Sequence, residues 1–244
     1  MKKTIIVLII AITCTNYIYS QLSFDFETGL AFQSYNDVSI PNKDGTRFNF
    51  NEDFDIQGPV IPLRFRVGYS FAEKNHFFAL YAPLSINYTG NSPKDIVFQQ
   101  SIFAKGEFIN GFYKFNSYRL TYRRDLLKND KWIFAIGFTA KIRDASIKLS
   151  TNNLSDKKDD LGFVPLLHIF AGYSFEKFSV FIEGDGLAGG PGRAFDFFIG
   201  TKIPINKHIN IKGGYRILEG GADVSTVYNF TMVQFINCGV ILEF

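Results

Sequence analysis

Cysteine is scarce: the 244 residues hold two, Cys14 and Cys238. Cys14 falls in a leader expected to be removed, and a lone Cys238 can form no internal disulfide. The remaining residues offer no Cys/His cluster of the kind zinc needs, so neither a metal nor any other cofactor is expected. Excess charge of one sign is also lacking. The formal net charge is +3, and without Lys2 and Lys3 it is 3 − 2 = +1, which gives no electrostatic case for a nucleic-acid partner. Beyond Gln21 there is neither an apolar run long enough for a membrane helix nor a convincing helical period. A single Trp stands against 28 Phe and 12 Tyr, with 21 Gly and only 8 Pro, a mixture that suits strands and turns.

Residues 1–20 have the layout of a signal peptide: Lys2 and Lys3 form the charged start, Ile5 to Ile12 the apolar stretch, and polar and small residues lead to Ser20 and Gln21. Cleavage is expected after Ser20. An uncleaved anchor would need ~20 apolar residues, more than this stretch supplies. Lipidation at Cys14 is a second alternative, but Ala11-Ile12-Thr13 fit the lipoprotein pattern poorly. The mature chain, 21–244, then reads as one domain.

That chain alternates apolar and polar residues repeatedly, the period of strands with two unlike faces. Ten strands are expected, at about Leu22–Gln33, Ile61–Phe71, His76–Tyr88, Lys105–Arg124, Trp132–Arg143, Gly162–Phe175, Phe178–Asp185, Phe195–Pro204, Ile209–Ile217 and Thr231–Phe244. In the second, Leu63, Phe65, Val67 and Tyr69 share one face while Arg64, Arg66, Gly68 and Ser70 share the other. The fourth is less regular, and a bulge is expected near Phe112, where the alternation slips. Reading Lys105–Phe115 differently would give eight or twelve strands.

Connection lengths alternate as well. Short turns are expected at Ala72–Asn75, Asp125–Asp130, Glu176-Lys177 and Ile205–Lys207. Longer polar loops are expected at Tyr35–Gln57, Gly90–Ala104, Ala145–Asp160 and Glu219–Phe230, with a short Gly-rich link at Ala188–Arg193. Short turns at one end and long loops at the other mark an even-stranded, up-and-down antiparallel transmembrane β-barrel with the loops outside the cell.

A soluble barrel would bury the apolar faces and expose the charged ones. Volume argues the other way here. Ten faces of Phe, Tyr, Ile and Leu would overfill a small lumen, whereas the opposite faces carry Gly, Ser, Ala, Thr and charges. An Arg or Lys in mid-bilayer costs ~2–4 kcal/mol, so the absence of charge from the greasy faces has meaning. Tyr88, Tyr122, Trp132, Tyr173 and Tyr215 lie near strand ends, where aromatic girdles belong.

The leader before Gln21, the alternating strands and the closing segment Asn237-Cys238-Gly239-Val240-Ile241-Leu242-Glu243-Phe244 resemble small outer-membrane β-barrel proteins of Gram-negative bacteria, of the kind common in the Bacteroidota. The resemblance covers nearly all of the mature chain and carries no specific activity. It implies outer-membrane lipid and the barrel assembly machinery as partners, with terminal Phe244 as the assembly signal. An extracellular ligand would be met through the long loops.

The candidate functional residues are the charges expected to face the lumen: Asp25, Glu27, Arg64, Arg66, Arg119, Arg123, Lys141, Arg143, His168, Glu183, Asp185, Asp196, Lys202, Lys212, Arg216 and Glu243. Both signs are present, so a mutually neutralising plug is favoured over a selective pore or an ion-handling site. The segment from Glu183 to Asp196 brackets a Gly-rich link with three acids and Arg193. It could seat a cation or polar ligand, but it lacks the acid spacing of a calcium loop, and its glycines suit a tight turn. For a proteolytic or lipid-active barrel, the histidines offer little: His76 and His208 sit beside short turns and His168 is mid-strand, none at an outer rim. The expectation is an integral outer-membrane barrel with a structural or surface-interaction role. A narrow channel for ions or small solutes is the alternative, and no catalytic residue is assigned.

Overall fold

Alternation places successive side chains on opposite faces of a strand, and the period-two segments of this chain all form strands. The computed structural model describes residues 21–244; the expected leader, 1–20, with Cys14, lies outside the described residues. In chain order the elements are β1 (Gln21–Ser39), β2 (Phe48–Asn49), the single helical turn α1 (Phe50–Asp53), β3 (Asp55–Ile56), β4 (Leu63–Phe71), β5 (Asn75–Ala82), β6 (Ser85–Asn91), β7 (Ile96–Phe98), β8 (Ser101–Phe103), β9 (Phe108–Lys128), β10 (Trp132–Ser150), β11 (Ser155–Ser174), β12 (Ser179–Gly189), β13 (Gly192–Pro204), β14 (Ile209–Val224) and β15 (Val227–Glu243).

The wall has ten antiparallel strands: β1, β4, β5 continued by β6, and β9 to β15. It closes where β15 pairs with β1, from Ser23↔Glu243 to Ser39↔Tyr228. Phe244 extends the closure by exchanging backbone hydrogen bonds with Leu22 at 2.9 and 3.1 Å. Pro83, which has no N–H to give a ladder, separates β5 from β6. The register against β9 is nevertheless kept, with Ala82 facing Ser117 and Ser85 facing Lys114.

Large apolar side chains cover the outside. Leu63, Phe138, Leu120, Leu167, Ile199 and Ile236 are all exposed, while Asp25, Arg119, Asp196 and Arg216 are buried inside. The orientation is therefore that of a membrane barrel. On β10 the outward apolar stretch runs from Trp132 to Ile142, about the 9–11 residues a tilted strand needs to cross a bilayer. Trp132 and Tyr173 pack edge to face at one border, and Tyr81 and Tyr118 stack at the other. Gly184 and Gly186 face outward beneath the rings of Phe197 and Phe195, so close that a Cβ would meet them at 2.1 and 2.7 Å.

Above Tyr118 the strands invert their polarity. On β9, Ile109 and Tyr113 are buried inside while Asn110 is exposed and Lys114 pairs with Asp144 at 2.7 Å. On β10, Ile147 and Leu149 turn inward. A strand leaving lipid for water must move its apolar residues from the outer face to the inner one. This explains the irregular pattern near Phe112 without a bulge, because β9 pairs in unbroken register with β6 there. The register shifts lie elsewhere, between Gln33 and Tyr35 of β1 and between Phe134 and Ala135 of β10.

Two of the expected polar loops are instead strand. Ala145 to Asp160 zips into the β10–β11 hairpin, paired out to Ser150↔Ser155, and Glu219 to Phe230 forms the β14–β15 hairpin out to Val224↔Val227. The remaining long connections fold over the barrel. Val38, Ile40, Phe48, Phe50 and Phe54 from the first, with Ile96, Phe98 and Phe103 from the β7–β8 hairpin, form an apolar cap with Ile86, Tyr88 and Tyr113. Asn49 caps α1 by accepting from the Asn51 N–H at 2.9 Å, and Phe50 stacks on Tyr88 at 4.4 Å between centroids. Tyr88 thus belongs to the cap and not to a girdle.

The β11–β12 seam is incomplete. Pairing runs from Ser174↔Ser179 to Leu167↔Gly186 and stops. Above that level β11 continues to Ser155 with β10 as its partner, while β12 turns into β13 at Gly190-Pro191.

Candidate functional site

Inward-facing positions of six strands, β1, β4, β9, β12, β13 and β14, converge at mid-barrel. Five carboxylates (Asp25, Glu27, Glu183, Asp185, Asp196) meet five cations (Arg64, Arg66, Arg119, Lys212, Arg216), so the formal charge of this layer is balanced. Asp196 is the hub. Its Oδ2 accepts from Arg119 at 2.6 Å and Arg64 at 3.1 Å, and its Oδ1 accepts from Arg216 at 2.6 Å. Glu27 accepts from Lys212 at 2.7 Å, from Arg216 at 2.9 Å and from the Asn237 amide. Asp25 takes Arg66 at 2.9 Å and Lys212 at 2.8 Å. Glu183 takes Arg66 at 2.5 Å, and Asp185 takes Arg119 at 2.7 Å, the Thr139 hydroxyl at 2.6 Å and the His168 ring at 2.8 Å.

The paired side chains fill the lumen at this level. Buried charges are tolerated when each is paired and hydrogen-bonded, and the cavity left among these side chains is about 40 Å³, space on the order of one or two waters. The rings of Phe78 and Phe170 continue the filling toward the short-turn end. Arg123 lies over both, at 5.1 and 4.5 Å from their centroids.

Not every expected lumen charge joins the cluster. Lys202 and Glu243 form a 3.5 Å pair near the short-turn end, both partly exposed. Arg123 lies 3.6 Å from Asp125, which also pairs with His76 at 3.0 Å. Arg143 pairs with Asp160 above the cluster. Lys141 faces inward, buried beside the Phe115 ring at 4.7 Å, and pairs with no carboxylate among the described residues. The Gly-rich link is a tight β12–β13 turn: Glu183, Asp185 and Asp196 point into the lumen, while Arg193 pairs with Glu219 at 2.9 Å.

Sequence reasoning missed the cap and the vestibule beside it. The vestibule is a cavity of about 580 Å³ above the ion-pair layer, with Lys141 and Arg143 at its floor and Phe115, Ile147, Leu187 and Leu218 among its walls. Phe48, Phe50 and Phe54 in a connection otherwise polar were the available signal. His76, His168 and His208 all lie outside this vestibule.

No family model and no curated protein matches this sequence. Solved structures do. The outer membrane protease OmpT from Escherichia coli matches with a TM-score of 0.56 at 9% identity, over 95% of this chain and 100% of that chain. Ail, the attachment invasion locus protein of Yersinia pestis, matches at 11% identity over 92% and 99% of the two chains with a TM-score of 0.43. Neisserial surface protein A does so at 13% identity over 94% and 100%, with a TM-score of 0.36. Closed antiparallel wall, apolar exterior and charged interior together define the class, a transmembrane β-barrel of the outer-membrane type. At 9% identity, the likeness to OmpT is one of fold and says nothing of activity.

Proposed function

We propose that this protein is an integral barrel of the Gram-negative outer membrane, sealed across its lumen, whose role is structural or surface-interacting and not conductive. The observation carrying this reading is the balanced layer of ten charged side chains with about 40 Å³ left between them. The apolar cap adds a second obstruction at the loop end. In this reading the leader is cleaved after Ser20, the barrel assembly machinery reads the strand ending in Phe244, and the cap and hairpin tips face the cell exterior as the surface for a ligand. A Bacteroidota-type origin fits the same leader and closing strand.

Planar-bilayer recording of the refolded mature chain tests it. The expected result is a flat baseline at protein densities where a porin gives unitary steps. Steady unitary currents would replace the sealed barrel by a narrow channel for ions or small solutes.

A further inference from the structure

Lys141 differs from the cations beneath it. All five cations of the seal are ion-paired. Lys141 is only 2% exposed, yet it makes no ion pair among the described residues and has an aromatic ring as neighbour. A buried ammonium gives up hydration that only a counter-charge or hydrogen bonds restore. What lies in front of it is the 580 Å³ vestibule, a volume within the range of small-molecule sites. Its lining includes the apolar Phe115, Ile147, Val164, Leu187 and Leu218 together with the ion pairs Arg143–Asp160 and Arg193–Glu219 and the half-buried Lys158. A buried cation with no ion-pair partner among the described residues, set beside these apolar side chains, is complementary to a molecule with an anionic head and an apolar body.

The incomplete seam gives such a molecule a way in. Phe163 and Pro165 on β11, and Leu187 and Gly189 at the end of β12 with Gly190 and Pro191 of the turn, line the vestibule from the two sides of the gap. The ladder stops at Leu167, which pairs with Phe138, so the gap opens within the outward apolar band and passes Phe163, the partner of Ile142, at the border of that band. Pro165, without an N–H, is a residue that sheets tolerate at an unpaired edge. Phe163 and Leu161 are both strongly exposed, which presents apolar surface at the entrance to the acyl region.

We propose that this vestibule binds a single-chain anionic amphiphile drawn from the surrounding leaflet, its carboxylate or phosphate on Lys141 and its alkyl chain leaving through the β11–β12 gap. The site lies above the seal and is independent of whether the barrel conducts.

The test uses the full mature chain in nanodiscs of zwitterionic lipid, with dansyl-labelled undecanoic acid as the probe. Saturable fluorescence beyond that of empty discs is expected, displaced by palmitate or hexadecyl phosphate and about tenfold or more less well by methyl palmitate, the loss expected for a charge-assisted contact. Lys141→Met should weaken the probe by a similar factor and abolish the preference for acid over ester. Leu187→Trp, which keeps the ammonium and fills the entrance, should also lower binding. Probe uptake equal to empty discs, an ester as effective as the acid, or unchanged binding in Leu187→Trp would each overturn the proposal. The comparison of acid with ester on the unmodified chain decides the matter even if Lys141→Met does not fold.

Discussion

Arg119 on β9 donates to Asp196 on β13 at 2.6 Å across the lumen, although β10, β11 and β12 stand between them in the wall. The contact braces the barrel from within, and Asp196 holds Arg64 and Arg216 in the same way. Asp196→Ala leaves three guanidinium groups facing one another without their shared counter-charge. The expected loss is ~3–5 kcal/mol, the cost of removing one partner from a buried ionic cluster. Urea unfolding in lipid vesicles, followed by the fluorescence of Trp132, checks it.

The lipid-facing surface gives a second expectation. Phe138 is 67% exposed in the middle of the outward stretch of β10, so Phe138→Arg should cost ~2–4 kcal/mol. Asn110, outward on β9 above the inversion point, should accept Arg within about 0.5 kcal/mol, as ordinary surface sites do. The two variants compared by the same urea assay locate the border of the bilayer. Equal tolerance at both positions would place that border wrongly.

Cys238 is exposed and outward, between Ile236 and Val240 and opposite Thr28 and Gly213. In vesicles it should react with a membrane-soluble maleimide and resist a charged, membrane-impermeant one. Both reagents should label the urea-unfolded chain. Rapid labelling of the inserted protein by the charged reagent would mean that this face meets water.

Phe50 anchors the cap through its stack on Tyr88. Phe50→Ala should cost ~3–5 kcal/mol at the cap while leaving the ion-pair layer in place. Hydrogen exchange should accelerate across 40–56 and remain slow in β13 and β14. Uniform acceleration would mean that cap and barrel unfold as one unit.

Much of this architecture was legible because it is local. Alternation of Leu63 to Phe71 places Arg64 and Arg66 on one face whatever their partners, and turns such as Glu176-Lys177 leave room for a hairpin only. The reading faltered where one strand serves two solvents. Tyr113 and Tyr118 share β9, yet one is buried in the cap and the other faces lipid, so a single rule for which face is greasy reads the upper half as irregular. It also took Ile147 and Leu149 for part of a loop.

The sequence by itself determined the alternation within the lipid-facing strands and the tight hairpin turns, since these follow from a two-residue period and from turn spacing, whereas the count of ten and the inward turn of Ile109, Tyr113, Ile147 and Leu149 came with the structure. Tertiary structure alone decided who meets whom. Glu27 and Arg216 are separated by 189 positions, and nothing along the chain pairs them until closure of the wall sets their heights against each other. The same closure neutralised Lys212 and Arg64, left Lys141 facing the vestibule without a carboxylate partner among the described residues, and stopped the β11–β12 ladder short, because register and strand length are properties of neighbours and not of any one segment.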